Sequence, residues 1–423
     1  MTKPSPFHKT VLPGGLRVIS EKVPGVRSAA LGIWVTVGSR HEAATDNGIS
    51  HFIEHMAFKG TETRSALDIA KTIERGGGYI NAFTGKELTC FYVHVLDEQL
   101  PVAFDILSDI LRHSVHDPLE IEKEKLVILD EIRDHQDMPD DLVHEYFVRE
   151  VFPSHPLARP ILGPPENVRG FTRDALLGFI YDHYTNKRML VVAAGNVDHH
   201  KLVKMVERGL EVPSESRVPA LDKATPLRKK IKRYQRPIQQ AHMVIGARSV
   251  PYHSKDRLAV AMLNTVLGGG MSSRLFQNIR EKHGLAYAIY SFSEALTDTG
   301  YWGVYLATDP SRLSKAQKLV RKEFDELKAT LIDKSELEEV KTQFKGSLAL
   351  GLENVSSRMM RLARMEIYLK RYVPLDEINA LIDSVTPARL QKLADQLFDS
   401  ESLVCTIIEP EKKNSAKSAA RIA

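Results

Sequence analysis

Five consecutive residues, His51-Phe52-Ile53-Glu54-His55, carry the densest chemistry in the chain. On a helix the two histidines stand at i and i+4, one turn apart on a single face. Both imidazoles can then reach one zinc ion at about 2.0–2.1 Å. Glu54, at i+3 from His51, falls beside them and can take a proton from a water activated there. Phe52, Ile53, Met56 and Phe58 would bury the opposite face. Taken alone, the pattern also fits an ordinary helix that happens to carry two histidines. With 16 histidines, a chance match is expected in roughly a few per cent of such chains.

A catalytic zinc needs a third protein ligand and an open position. The stretch from Pro118 to Gln136 reads as a helix, with Pro118 suited to its first turn. On it Glu124 and Glu131 lie seven residues apart on one face. Spacing alone does not separate a ligand from the solvated face of a Glu/Lys-rich helix. His113 and His116 straddle a helix end and read as surface residues, and His199-His200 reads as a helix start. Gly268-Gly269-Gly270 lacks the Lys-Ser/Thr of a phosphate loop, leaving a flexible loop or a helix C-cap.

The elements that must position these groups fall into two halves. A turn at Pro13-Gly14-Gly15 leads into Leu16–Ile19, and Ala29–Val37 reads as a strand. Helices are expected over Asn47–Phe58, over Ser65–Arg75 with Ser65 and Asp68 as a capping box, and over Glu98–His113. Leu88–Leu96 alternates as a strand, Met189–Gly195 reads as a buried one, and a helix follows over Val197–Leu210. Pro213 to Pro237, rich in Pro, Lys, Arg and Ser, reads as a linker. The second half repeats the order: Gln240–Ala247 stands where Ala29–Val37 stood, and Asp256–Leu267 where the His51 helix stood. Tyr287–Thr308 contains strands, Ser311–Leu331 and Ser335–Lys370 read as helical, and Leu403–Ile408 closes as a strand. Long helices segregated from hairpin-connected strands predict an α+β architecture. The expected domains are residues 1–212, a linker over 213–237, and residues 238–423 ending in a frayed tail from Lys412.

Composition narrows the partners. The 423 residues have 43% hydrophobic and 26% charged content, which suits a globular chain with sizeable cores. A net charge of +4, spread along the chain, gives no reason to expect a nucleic-acid partner. The two cysteines, Cys90 and Cys405, make no ligand spacing or disulfide framework, so a reducing compartment fits. The N-terminus shows neither an apolar signal core nor an Arg-rich transit pattern, and no run is long and apolar enough for a membrane span. A cytoplasmic location is the expectation.

The segment His51–Thr61 (HFIEHMAFKGT) closely resembles the inverted zinc motif of the inverzincin peptidases. More narrowly, the chain resembles the pitrilysin/insulinase family, in its half-length branch near the mitochondrial processing peptidase. Further segments carry the likeness: NAFTGKE from Asn81, LVILDEI from Leu126, HPLARPILG from His155, YTNKRMLVVAAGNV from Tyr184, GGGMSSRLFQNIREKHGLAYAIYS from Gly268, and ENVSSRM from Glu353. Pro164 departs from the family pattern and predicts only a loop adjustment. The resemblance implies two homologous domains, each a mainly antiparallel sheet packed with helices, of the LuxS/MPP-like metallohydrolase type. It implies one zinc ion on His51, His55 and Glu131, the last 76 positions after His55. Glu54 carries over as general base and Glu124 as an acid supporting the ligands. Arg280 and Tyr287 match a pair that faces the zinc, with Tyr287 suited to donate to an oxyanion and Arg280 to hold a substrate carbonyl. Asn81, Ala82 and Phe83 match the edge strand to which an extended peptide would pair.

The function implied is a zinc metalloendopeptidase for peptides or unfolded segments. The chain has about half the length of relatives that carry the zinc motif in their first quarter and the Arg/Tyr pair in their last. A homodimer is therefore expected, in which one copy's Arg280 and Tyr287 complete the other's site. The competing readings are a non-catalytic binding or assembly subunit of the same fold and a zinc hydrolase of non-peptide substrates.

Overall fold

A computed structural model describes residues 6–213 and 221–411. The tail expected from Lys412 and part of the expected linker lie outside the described residues. The chain divides into two compact units, each assembled from three segments. Unit 1 takes residues 1–134, 154–223 and 346–377; unit 2 takes residues 135–153, 224–345 and 378–423.

Unit 1 is built on a six-stranded sheet of order β1-β2-β6-β3-β5-β4. Its strands are β1 (Phe7–Val11), β2 (Arg17–Lys22), β3 (Ser28–Val35), β4 (Tyr79–Thr84), β5 (Thr89–Leu96) and β6 (Met189–Gly195). Every pairing is antiparallel except β2 with β6. β3 and β6 read as nearly unbroken apolar runs because they are central and buried on both faces. β4 lies at the edge and is partly exposed.

Four helices of unit 1 bear on the site: α1 (Ile49–Met56), α2 (Ala66–Glu74), α3 (Leu100–Arg112) and α4 (Pro118–Asp137), whose last turn passes into unit 2. Ser65 caps α2, accepting from the Asp68 amide as its capping box predicts. Phe52, Ile53 and Met56 of α1 join Leu31, Ile33, Phe91, Val93 and Ile106 in one core. A later helix, Val355–Arg364, packs on β2, β3 and β6. Its Met359 sulfur lies so close to Gly32 that a Cβ there would meet it at 3.0 Å.

Unit 2 repeats the plan. Its sheet has the order β7-β11-β8-β10-β9. The strands are β7 (Lys230–Arg236), β8 (Ala241–Ser249), β9 (Ala288–Ala295), β10 (Gly300–Thr308) and β11 (Val404–Pro410). Here β7 and β11 pair in parallel, as β2 and β6 do in unit 1, and the rest pair antiparallel. The order matches β2-β6-β3-β5-β4 strand for strand, so the fold is α+β with two homologous domains. Helix α5 (Pro139–Val151) covers β8 and β11. Cys90 and Cys405 are buried free thiols, one in each sheet. Among the described residues no helix is long and apolar enough to cross a membrane.

Three local expectations differ from the structure. Lys230–Arg236, read as linker, forms edge strand β7; its charged side chains suit an unpaired edge. The long helix expected over Ser335–Lys370 is broken: Lys334–Gly351 ends and Asn354 caps a new helix, accepting from the Ser356 and Ser357 amides. His116, read as a surface residue, is buried.

Candidate metal centre

α1 has eight residues, and its start is tightly held. Glu42 accepts from the Gly48 amide at 2.8 Å, the Ser50 amide at 2.9 Å and the Asn47 side chain at 2.8 Å. A buried carboxylate thus satisfies amides that a helix start leaves unpaired. Burial pushes the Glu42 pKa up, and those hydrogen bonds oppose it. Gly48 (φ 102°) and Gly163 (φ 75°) touch backbone to backbone: a Cβ on Gly163 would lie 2.3 Å from the Asn47 carbonyl. The 155–163 segment therefore forms one wall of the frame around α1, and Pro164 continues into a short helix, Pro165–Gly170.

From this frame α1 presents His51 and His55, whose rings lie 4.5 Å apart. α4 brings Glu131, whose Oε2 is 3.8 Å from His51 Nε2 and 3.7 Å from His55 Nε2. One ligand atom from each of the three lies within 4.8 Å of the others, a grouping that could hold a metal ion. Two imidazole nitrogens and one carboxylate oxygen form a donor set suited to a catalytic zinc. Edge separations of about 3.4 Å are expected for ligands tetrahedral around zinc at about 2.05 Å, so the observed spacing needs only a small contraction. The Glu131 side chain is 44% exposed, so that side of the cluster is open to solvent.

The surroundings suit ligation. His55 Nδ1 donates to Glu124 Oε1 at 2.7 Å, which leaves Nε2 with the lone pair facing Glu131. Lys59 Nζ pairs with the other Glu124 oxygen at 2.5 Å. Burial works against ionisation of Glu124, but hydrogen bonds from His55 and Lys59 outweigh it and hold its pKa low. His51 is pushed down to about 3 by burial and by the neighbouring His55, so it stays neutral. Glu54 is raised by burial, with Glu131 adding to the rise and a hydrogen bond from Thr84 opposing it.

The structure thus brings His51, Glu54, His55, Glu124 and Glu131 together in unit 1. Asn81, Ala82 and Phe83 lie on edge strand β4, which packs against α1; the Asn81 side chain accepts from the Ala82 amide at 2.8 Å. Arg280 and Tyr287 belong to unit 2, close to one another: the guanidinium lies 4.8 Å from the Phe276 ring centre and 5.9 Å from that of Tyr287. Tyr287 is 78% exposed, just before β9. Three residues in this frame go unremarked by spacing alone. Glu42 is an acid six residues ahead of Gly48, Lys59 follows α1, and Thr84 stands within the Asn81–Glu87 segment.

Known proteins resemble this chain along most of its length. Residues 17–165 match the insulinase (peptidase family M16) model, and residues 170–344 match the model described as the peptidase M16 inactive domain. An uncharacterized zinc protease of Bacillus subtilis, YmxG, is 40% identical over 94% of this chain and 96% of its own length. One from Streptomyces coelicolor is 39% identical over 97% of this chain and 91% of its own. Among solved structures, a Helicobacter pylori protease superposes with a TM-score of 0.90 at 21% identity, covering 96% of this chain and all (100%) of that one. A chain of Complex III2 from Candida albicans superposes at 0.82 with 20% identity, covering 95% of each; at such identities these two speak for the fold alone. With full-length relatives near 40% identity and family models over both halves, the chain belongs to the insulinase family of zinc peptidases, in its half-length form.

Proposed function

We propose that the protein is a zinc-dependent endopeptidase acting on peptides or unfolded polypeptide segments. The observation that carries the reading is the convergence of His51, His55 and Glu131, with Glu54 alongside on the same helix. His51, His55 and Glu131 would hold the metal. Bound there, zinc would supply Lewis acidity toward the scissile carbonyl and make water a better nucleophile. An extended substrate adds to the free edge of β4 along Asn81, Ala82 and Phe83 through backbone pairing. Glu54 takes the proton of the attacking water and delivers it to the leaving amine; a carboxyl raised by burial suits that exchange. Glu124 keeps His55 oriented.

Tyr287 would donate to the developing oxyanion and Arg280 would hold a substrate carbonyl, both supplied by a second copy of the chain in a homodimer. Two buried, unpaired thiols fit a cytoplasmic location for such an enzyme. The fold likeness to a Complex III2 chain raises the reading of a non-catalytic assembly subunit; the intact ligand set and Glu54 favour the peptidase.

One set of measurements separates these readings. The purified protein should carry one zinc per chain and cleave members of a peptide library. Glu54→Gln should abolish cleavage while zinc stays bound. Mixing Glu54→Gln with an inactive Tyr287→Phe should restore part of the activity. A protein that cannot be loaded with zinc, or cleaves nothing when loaded, rejects the peptidase. Demonstrable mixed dimers that stay inactive reject completion in trans.

A further inference from the structure

The Glu54 carboxylate accepts a side-chain hydrogen bond from a residue on the strand expected to bind substrate. Thr84 Oγ1 donates to Glu54 Oε2 at 2.5 Å. The hydroxyl proton is free for this role because of its cross-strand neighbour. Thr84 pairs with Thr89 across β4 and β5, and the two hydroxyl oxygens are 3.4 Å apart. The buried Thr89 hydroxyl commits its own proton to the Val37 carbonyl at 3.0 Å. Its oxygen can therefore accept but not donate toward Thr84, and the Thr84 proton is directed to Glu54.

The position of Thr84 is itself fixed. The turn after it is joined to the segment ahead of α1 by two backbone bonds, Ser39 amide to Gly85 carbonyl at 3.2 Å and Arg40 amide to Lys86 carbonyl at 2.8 Å. A Cβ on Gly38 would lie 2.2 Å from the Gly85 carbonyl, so only glycine permits that approach. The buried pair of Arg40 and Glu87, 2.6 Å apart, crosses the same junction. The strand end and the base of the proposed reaction are thus held in one frame from which the hydroxyl cannot easily withdraw.

We propose that Thr84 is a positioning residue for Glu54: it selects the carboxylate rotamer that faces the site and couples that rotamer to occupancy of β4. This rests on the peptidase reading, in which Glu54 is the base and β4 takes the substrate. Asn81, Ala82 and Phe83 would pair with the peptide, and Thr84 is the next residue along the same strand. A peptide that straightens β4 by pairing with it also steadies the hydroxyl that orients the base. Substrate binding and base alignment then become one event, and the loss of the hydroxyl falls on turnover more than on binding.

The test uses Thr84→Val, which keeps the branched shape and strand preference, and Thr84→Ser, which keeps the hydroxyl. Thr84→Val should lower kcat by roughly tenfold or more with KM changed less than about twofold, and Thr84→Ser should recover most of the loss. Zinc content should be the same in all three proteins. The infrared carboxylate band of Glu54, identified as the band that Glu54→Gln removes, should shift in Thr84→Val and stay in place in Thr84→Ser. A Thr84→Val protein with wild-type kcat, an unmoved carboxylate band, or a Thr84→Ser protein as impaired as Thr84→Val overturns the proposal. The band reports the contact even in a protein that cleaves nothing, so failure of the peptidase reading and failure of this inference give different results.

Discussion

At the scale of single residues, three glutamates with the same side chain occupy three different environments. Glu124 is buried but receives His55 and Lys59, and it stays charged. Glu54 is half-buried and accepts from the neutral Thr84 hydroxyl, and its pKa rises. Glu131 is the most exposed of the three and faces both imidazoles with one oxygen. Environment alone thus suits the three to their proposed roles of orienting acceptor, proton carrier and ligand. Two other histidines, half-buried His41 and buried His116, extend the argument to stability. His41 is pushed to about 4, first by burial and then by the charges of Arg188 and Arg40, and its Nδ1 accepts from the Gly38 amide at 3.2 Å. His116 is likewise pushed to about 4, by burial and then by Arg173. Both are neutral in the fold, whereas the unfolded chain takes up their protons near pH 6.5. Their contribution is therefore complete above about pH 6.5 and is lost as pH falls toward about 4, by on the order of 3 kcal/mol per site. Urea midpoints measured between these limits should fall with pH, less steeply in His41→Gln. A midpoint that does not change over this range would refute the neutral burial.

At the scale of elements, α1 is too short to be stable by itself, so its geometry comes from its surroundings. Glu42, Asn47, Gly48 and Gly163 set where the helix starts, and hence where His51 and His55 point. Glu42→Ala would leave the Gly48 and Ser50 amides without partners in a buried setting. We expect a loss of about 2–4 kcal/mol in stability and a roughly tenfold or larger loss in zinc affinity. Thermal unfolding and chelator competition would check this; wild-type values in both would remove Glu42 from the frame. The same distinction explains what can be read without coordinates. His51, Glu54 and His55 are legible because i, i+3 and i, i+4 neighbours share a face in any helix. Glu131 is reached only through family resemblance, since its approach to His55 depends on how α4 packs. Glu42 and Thr84 act through backbone amides and one hydroxyl that tertiary packing aligns, and no periodicity marks them. α5 carries a local signal, Pro139 with Asp140 and Asp141 in its first turn, yet what it covers is not local at all. β7 reads as linker because the charge that protects an edge strand resembles the charge of a loop.

At the scale of the whole molecule, the two sheets share one strand order, but neither half of the chain completes its own unit. The helix Val355–Arg364, from the second half of the sequence, lies on β2, β3 and β6, with Val355, Met359, Leu362 and Ala363 buried. Helix α5, from the first half, lies on β8 and β11 with Leu142, Val143, Phe147 and Val151 buried. Each sheet needs cover on both faces, because its central strands carry apolar side chains on both. Cutting the chain between residues 213 and 221 would therefore produce two pieces that each bare an apolar sheet face, and in the first piece that face includes Trp34 and Leu190. An exposed apolar patch of more than a few hundred Å² promotes association. Either piece expressed alone should aggregate or unfold without cooperativity. Produced together, the pieces should exchange their helices, assemble and bind zinc. If the piece ending at residue 213 folds as a soluble monomer that binds zinc as tightly as the intact chain, the second-half helix is dispensable to the first sheet. Recovery only on co-production would make the exchange of helices a condition for forming the metal centre, although all three proposed ligands and Glu54 lie in the first 131 residues.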